Sequence, residues 1–201
     1  MKAMMHHIHY LDKKSVDYLS EKLTNHYLTH PEYNEIVVVG VGTNRYSGDA
    51  LGPTVGSILQ AQFNDNRQIR IFGTLERPVH ALNLKKTLTY IAKKHSRAYV
   101  IAVDACLGQY YKIGTLQLVE EPLAAGISLN KELPPVGQIH LKGIVNNHGP
   151  LNHKVLEHTS LTFVNEMAEV ISRIIAKSIQ EVVPNLIPAQ MPGDQATNQT
   201  S

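Results

Sequence analysis

Two aspartates stand where an α/β chain puts its chemistry. Asp49 lies in the glycine-bearing stretch GVGTNRYSGDALGP (40–53), which follows the β-branched run Ile36–Val39. Asp104 ends the apolar run of VIAVDACLG (100–108). In open α/β sheets, ligands sit outside the carboxyl ends of the strands, where adjacent crossovers diverge. Two strands lying side by side would bring the loops that carry these acids together. Carboxyls that approach closely cannot both ionise easily. One pKa rises, leaving one group to donate a proton and the other to activate water. Given a third ligand, the same pair could instead hold a divalent metal. His140, in QIHLKGIV (138–145), is the weak candidate that would complete the set Asp49, Asp104 and His140. A plainer alternative stays open: an acid at a strand end often caps the next helix, and Asp49 stands shortly before one.

The residues around the two acids carry weaker signals. Gly40-Val41-Gly42 opens a dinucleotide pattern but does not complete it, because Arg45 occupies the place of the third glycine in G-x-G-x-x-G. There is no G-x-x-x-x-G-K-[ST] either, so no nucleotide cofactor is expected. The two glycines suit a tight turn and close backbone approach. Cys106 follows Asp104 by two positions; as a nucleophile it would need His80 or His140 as a base, and otherwise it is a small half-buried thiol. His148 and His153 flank Gly149-Pro150 and receive no role. The cluster His6, His7 and His9 reads as a solvated, polar lead-in.

The elements that must position these residues follow from periodicity. Val16, Leu19, Leu23 and Tyr27 mark a helix stopped by Pro31. Ile36–Val39, Ile69–Phe72 and Tyr99–Val103 are short apolar runs, suited to strands covered on both faces. Pro53 belongs in the first turn of a helix reaching Phe63, and Ala81–Lys94 carries a second, with Leu82, Leu84, Leu88 and Ile91. Thr115–Val119 and Ile139–Val145 are further strands. A long helix from about Ser160 to Val183 ends at Pro184 and Pro188. Strands alternating with helices predict a three-layer α/β/α sandwich around a mostly parallel, doubly wound sheet. One domain is expected over 1–187, with its core in 35–183 and a disordered tail in 188–201.

Composition narrows the class further. Against 17 Asp and Glu stand 19 Lys and Arg, a net +2 without any basic stripe, so no nucleic-acid partner is expected. A hydrophobic fraction of 43% is that of a globular chain rather than a disordered one. No apolar run is long enough to cross a membrane, and none of signal-peptide length precedes Asp12. One cysteine forbids an internal disulfide. A cytoplasmic protein is expected.

On these motifs the chain resembles the germination protease of spore-forming bacteria, where a G-x-G is likewise followed by D-A-L-G-P and an apolar strand ends in D-A. Here those motifs are GVG with DALGP (40–53) and VIAVDA (100–105). The chain is identified as a member of the smaller spore-protein family called YyaC. The residues that carry this are SGDALGP (47–53), DACLG (104–108), IGTLQL (113–118), LPPVGQIHLKGIVN (133–146) and the final helix, a resemblance over roughly 35–182.

The resemblance implies the phosphorylase/hydrolase-like fold shared with the hydrogenase maturation endopeptidases. It also implies an atypical aspartic peptidase of sporulation or germination, with Asp49 and Asp104 as the acids that activate water. Gly40, Gly42 and Asn44 would then meet an extended peptide and orient the loop. The implied partner is a protein or peptide substrate, with small acid-soluble spore proteins the leading candidate, and a homo-oligomer is a reasonable default. The implied compartment is the cytoplasm of the sporulating cell or the spore core. The hydrogenase maturation enzymes read a metal through acids on equivalent loops and a later histidine, which His140 would match, but Ala50 stands where they place a second acid. Germination protease is longer and self-cleaving, so its substrate choice and autoprocessing do not carry over. Two rivals remain: an inactive spore binding protein of the same fold, and a metal-dependent maturation-type peptidase.

Overall fold

The computed structural model describes residues 4–30, 32–124 and 133–186. Pro31, Pro188 and the expected tail at 188–201 lie outside the described residues. Six strands, β1 (Met5–His9), β2 (Glu35–Gly40), β3 (Ile69–Phe72), β4 (Ala98–Gly108), β5 (Thr115–Val119) and β6 (Ile139–Asn147), form one sheet in the order β1-β5-β6-β4-β2-β3. The β3-β2-β4-β6 part is parallel, with Val38 level with Ile71 and Ile101. β5 and β1 add antiparallel at the far edge.

Alternation along the strands sorts the two faces. Ile36, Val38, Ile101, Val103, Ile139 and Leu141 pack under α1 (Ser15–Leu28), α2 (Leu51–Phe63) and α5 (Leu161–Val182). Their neighbours Val37, Val39, Ala98 and Ala102 turn to the other face, against Leu84 and Ile91 of α3 (Leu84–Lys94) and the pair Leu123 and Val136. A strand buried on both faces needs apolar residues at every position, which is why these runs are continuous rather than alternating. The result is the three-layer arrangement that the strand and helix alternation predicts. Among the described residues no helix is long and apolar enough to cross a membrane.

Four local expectations change. The histidine lead-in is strand β1, not a solvated tail: Met5 pairs with Val119 and His9 with Thr115. Backbone pairing to β5 decides this, and side chains alternating exposed and half-buried carry little sequence signal. α3 begins at Leu84 rather than Ala81. The Asn83 side chain accepts from the His80 N–H and donates to the Pro78 carbonyl, closing a turn that leaves Leu82 81% exposed. β4 does not end at Val103 but runs on to Gly108, since β6 keeps pairing with it through a register shift after Cys106. A short helix, α4 (Asn152–Glu157), lies in the stretch assigned to a polar loop.

Candidate functional site

The loop that carries Asp49 is built from its own backbone. At the end of β2, Val41 bridges to Val79, and Gly42 adopts φ +140°, a conformation that L side chains rarely take. The Thr43 N–H donates to the Asp49 carbonyl (3.1 Å), closing the loop just before a 3-10 turn at Ser47–Ala50 that runs into α2. The second half of the chain pins this turn: the Ser47 hydroxyl lies 3.1 Å from the Glu157 carbonyl and 2.6 Å from that of Thr159. Neither the 3-10 turn nor α2 has a side-chain cap, so the Asp49 carboxyl is not spent as a capping group.

Asp104 sits within β4, opposite Lys142 of β6 and one step beyond Val103, which pairs with Gly40 at the end of β2. β2 and β4 are neighbours, so the two acids meet at the carboxyl edge. Asp49 is half-buried, and burial pushes its carboxyl from 3.8 up to about 6, with the Thr43 backbone N–H pulling the other way. Asp104 goes further, to about 8: burial is the main cause, and the Asp49 charge adds to it. The Ala105 N–H, 2.9 Å from Asp104 Oδ1, and the Lys142 ammonium pull it back down. Although surface area leaves Asp104 half-buried, its carboxyl is packed on most sides by protein, and that packing sets the direction.

The other candidates fall elsewhere. The Cys106 thiol is pushed up to about 11, chiefly by burial, which leaves it protonated at neutral pH and poor as a nucleophile. His80 accepts the Leu82 N–H and lines a cavity of about 770 Å³ beside β3, with Ile71, Phe72, Arg77 and Asn83. Neither aspartate lines that cavity. His140 is 2% exposed; its Nδ1 lies 2.7 Å from the Glu121 carbonyl and so carries the proton it donates there. That leaves Nε2 a bare acceptor, buried without a hydrogen-bond partner among the described residues. His140 pairs with Ala102, two positions deeper along the strands than Asp104. Among the described residues no three His, Cys, Asp or Glu side chains gather closely enough to hold a metal ion, so Asp49, Asp104 and His140 do not form a ligand set.

The chain itself takes part of the space beside Gly40 and Gly42. A Cβ on Gly40 would lie 2.2 Å from the Gly52 carbonyl oxygen and 2.6 Å from that of Gly73; one on Gly42 would lie 2.1 Å from the Asp49 carbonyl oxygen. On the side where a Cβ would project, each glycine therefore meets the chain's own backbone. Asn44 donates to the Leu75 carbonyl (3.0 Å), tying its loop to the segment after β3. Lys142 is the residue that inspection of the motifs missed. The alternation of QIHLKGIV carried the signal, since it places Lys142 in phase with His140.

A family model described as "Protein of unknown function (DUF1256)" matches residues 7–174. Over 138 residues the chain is 45% identical to "Uncharacterized protein YyaC" of Bacillus subtilis (strain 168), a match covering 68% of this chain and 66% of that protein. The chain thus spans just under two thirds of the length of the curated relative it matches. Among solved structures, the NiFe hydrogenase maturation protease HycI from Thermococcus kodakarensis KOD1 is similar with a TM-score of 0.49 and 15% identity, covering 79% of this chain and 99% of that one.

Proposed function

The chain belongs to the family described as Protein of unknown function (DUF1256), and we propose that it is a peptidase in which Asp49 and Asp104 direct water onto a peptide bond. The observation that carries this reading is the unequal pair of acids at the carboxyl edge of neighbouring strands, one at about 6 and the other at about 8. Near pH 7 such a pair holds one proton, mostly on Asp104, and one negative charge, mostly on Asp49. Asp49 takes a proton from water as the water oxygen bonds to the carbonyl carbon, and the π pair moves onto the carbonyl oxygen. Asp104 donates a hydrogen bond to that oxygen. As the carbonyl re-forms, the C–N bond breaks and the leaving nitrogen takes the proton held by Asp49. A new amine and a new carboxyl leave, and the pair again holds one proton.

The resemblance to germination protease supports a spore protein as substrate, small acid-soluble spore proteins first, in the cytoplasm of the sporulating cell or the spore core. The test is mass spectrometry of such proteins after incubation with the wild type and with Asp104→Asn. Discrete fragments from the wild type alone are expected. Intact protein held in a tight complex, with no product from either, would instead support the inactive binding protein. One further rival is a metal-dependent hydrolase, for which the described residues gather no ligand set. A chelator would abolish that activity and leave two-acid hydrolysis unchanged.

A further inference from the structure

The acids do not stand alone on their face of the sheet. Val103 and Leu141 turn toward α1, α2 and α5, so Asp104 and Lys142, one position on, turn the other way. Lys142 lies level with Asp104 on one side and with Gln117 of β5 on the other, and Gln117 lies level with His7 of β1. One polar row, Asp104–Lys142–Gln117–His7, therefore crosses four strands, with backbones spaced about 4.8 Å apart. Cys106 and His140 are the titratable groups directly along the strands from it, and Asp49 faces it from the loop after β2.

Within that row Lys142 is unusual. It is half-buried, yet among the described residues its ammonium makes no hydrogen bond and no ion pair within 4.0 Å. The ammonium keeps access to water, so its lack of a protein partner carries no buried-charge penalty. Asp104 stands level with it on the adjacent strand, with no ion pair between them within 4.0 Å.

Taking the peptidase reading as its basis, we propose that Lys142 is the catalytic cation of the site, its ammonium stabilising the negative charge that develops on the attacked carbonyl oxygen beside Asp104. Protonated Asp104 offers the developing oxyanion one hydrogen bond, and a positive charge beside it stabilises that anion further. The register sets such a charge beside Asp104, on the same face of the sheet. The same ammonium lowers the Asp104 and Cys106 pKa values, as a charge directed at this spot must. No proton need leave Lys142 at any step.

The experiment compares wild type, Lys142→Met and Lys142→Arg on a spore protein that the wild type cleaves. Methionine keeps the apolar stem and removes the charge. It is expected to lower kcat by about 10²–10³-fold, the range for losing one oxyanion partner, with KM within about twofold. Arginine should recover part of kcat. Urea unfolding at pH 5 and pH 9 gives a readout independent of turnover. Lys142→Met should be less stable than the wild type at pH 9, where both acids are ionised, and level with it at pH 5. An unchanged kcat, or a rise in KM alone, overturns the catalytic role of Lys142 while leaving the two acids in place. Equal loss of stability at both pH values likewise overturns it, by making Lys142 a packing residue. A wild type that cleaves nothing overturns the peptidase reading itself and the role of Lys142 with it.

Discussion

Replacing Asp104 with Asn should make the protein more stable at high pH, although it removes a residue placed in the catalytic machinery. Asparagine has nearly the shape of the protonated acid, so the packing around β4 survives. In the wild type the folded state keeps the Asp104 proton up to about pH 8, whereas the unfolded chain loses it at 3.8. Between those values the unfolded state binds one proton fewer, and stability falls by about 1.4 kcal/mol per pH unit as pH rises. The full interval from 3.8 to about 8 corresponds to a ceiling of about 6 kcal/mol. Asp104 is only half-buried by surface area and shares its shift with Asp49, so solvent screening and coupling bring this to about 2–3 kcal/mol. Asp104→Asn should therefore match the wild type near pH 4 and exceed it by that amount at pH 8.5. The assay is urea unfolding of both proteins across this range. His26, whose pKa burial lowers, destabilises both alike as pH drops below 6.5, and that contribution cancels in the difference. A difference that is flat with pH, or that favours the wild type at pH 8.5, would refute the burial of this carboxyl and the assignment of acid and base built on it.

The remaining expectations are more local. Asp49→Asn should reduce kcat at least 10²-fold while the fold persists, measured by single-turnover cleavage with circular dichroism as the control. Gly40→Ala forces a methyl to 2.2 Å from a backbone carbonyl oxygen, a contact that no side chain can relieve, and should cost about 3 kcal/mol or prevent folding, read by thermal melting. Ser47→Ala removes the anchors to the Glu157 and Thr159 carbonyls and should cost about 1–2 kcal/mol, with amide exchange of the 43–50 loop rising more than elsewhere. Met167→Ala, at a fully buried site of α5, should cost about 2–5 kcal/mol in urea unfolding.

Much of the frame was legible because its signals are local. Ile36–Val39 and Ile69–Phe72 announce strands by β-branched, two-sided apolar runs, and Leu161–Val182 announces a helix by its stripe. What was missed was decided by partners far along the chain. β1 exists because β5 offers it an edge, and β4 lengthens because β6 keeps pairing past Asp104. Neither Leu82 nor the histidines carry that information in their immediate neighbours.

The sequence by itself determined that two acids would stand near strand ends, because apolar runs end there and loops begin. It also determined that glycines would line the first loop. Only the tertiary structure decided what each residue faces. It set Gly52, Gly73 and Asp49 on the side of Gly40 and Gly42 where a Cβ would project. It held His140 two positions below Asp104, bonded to Glu121. Strand register then set Lys142 level with Asp104. Register is a pairing between segments 38 residues apart (142 − 104), and the distances that shift a pKa arise only once that pairing has formed.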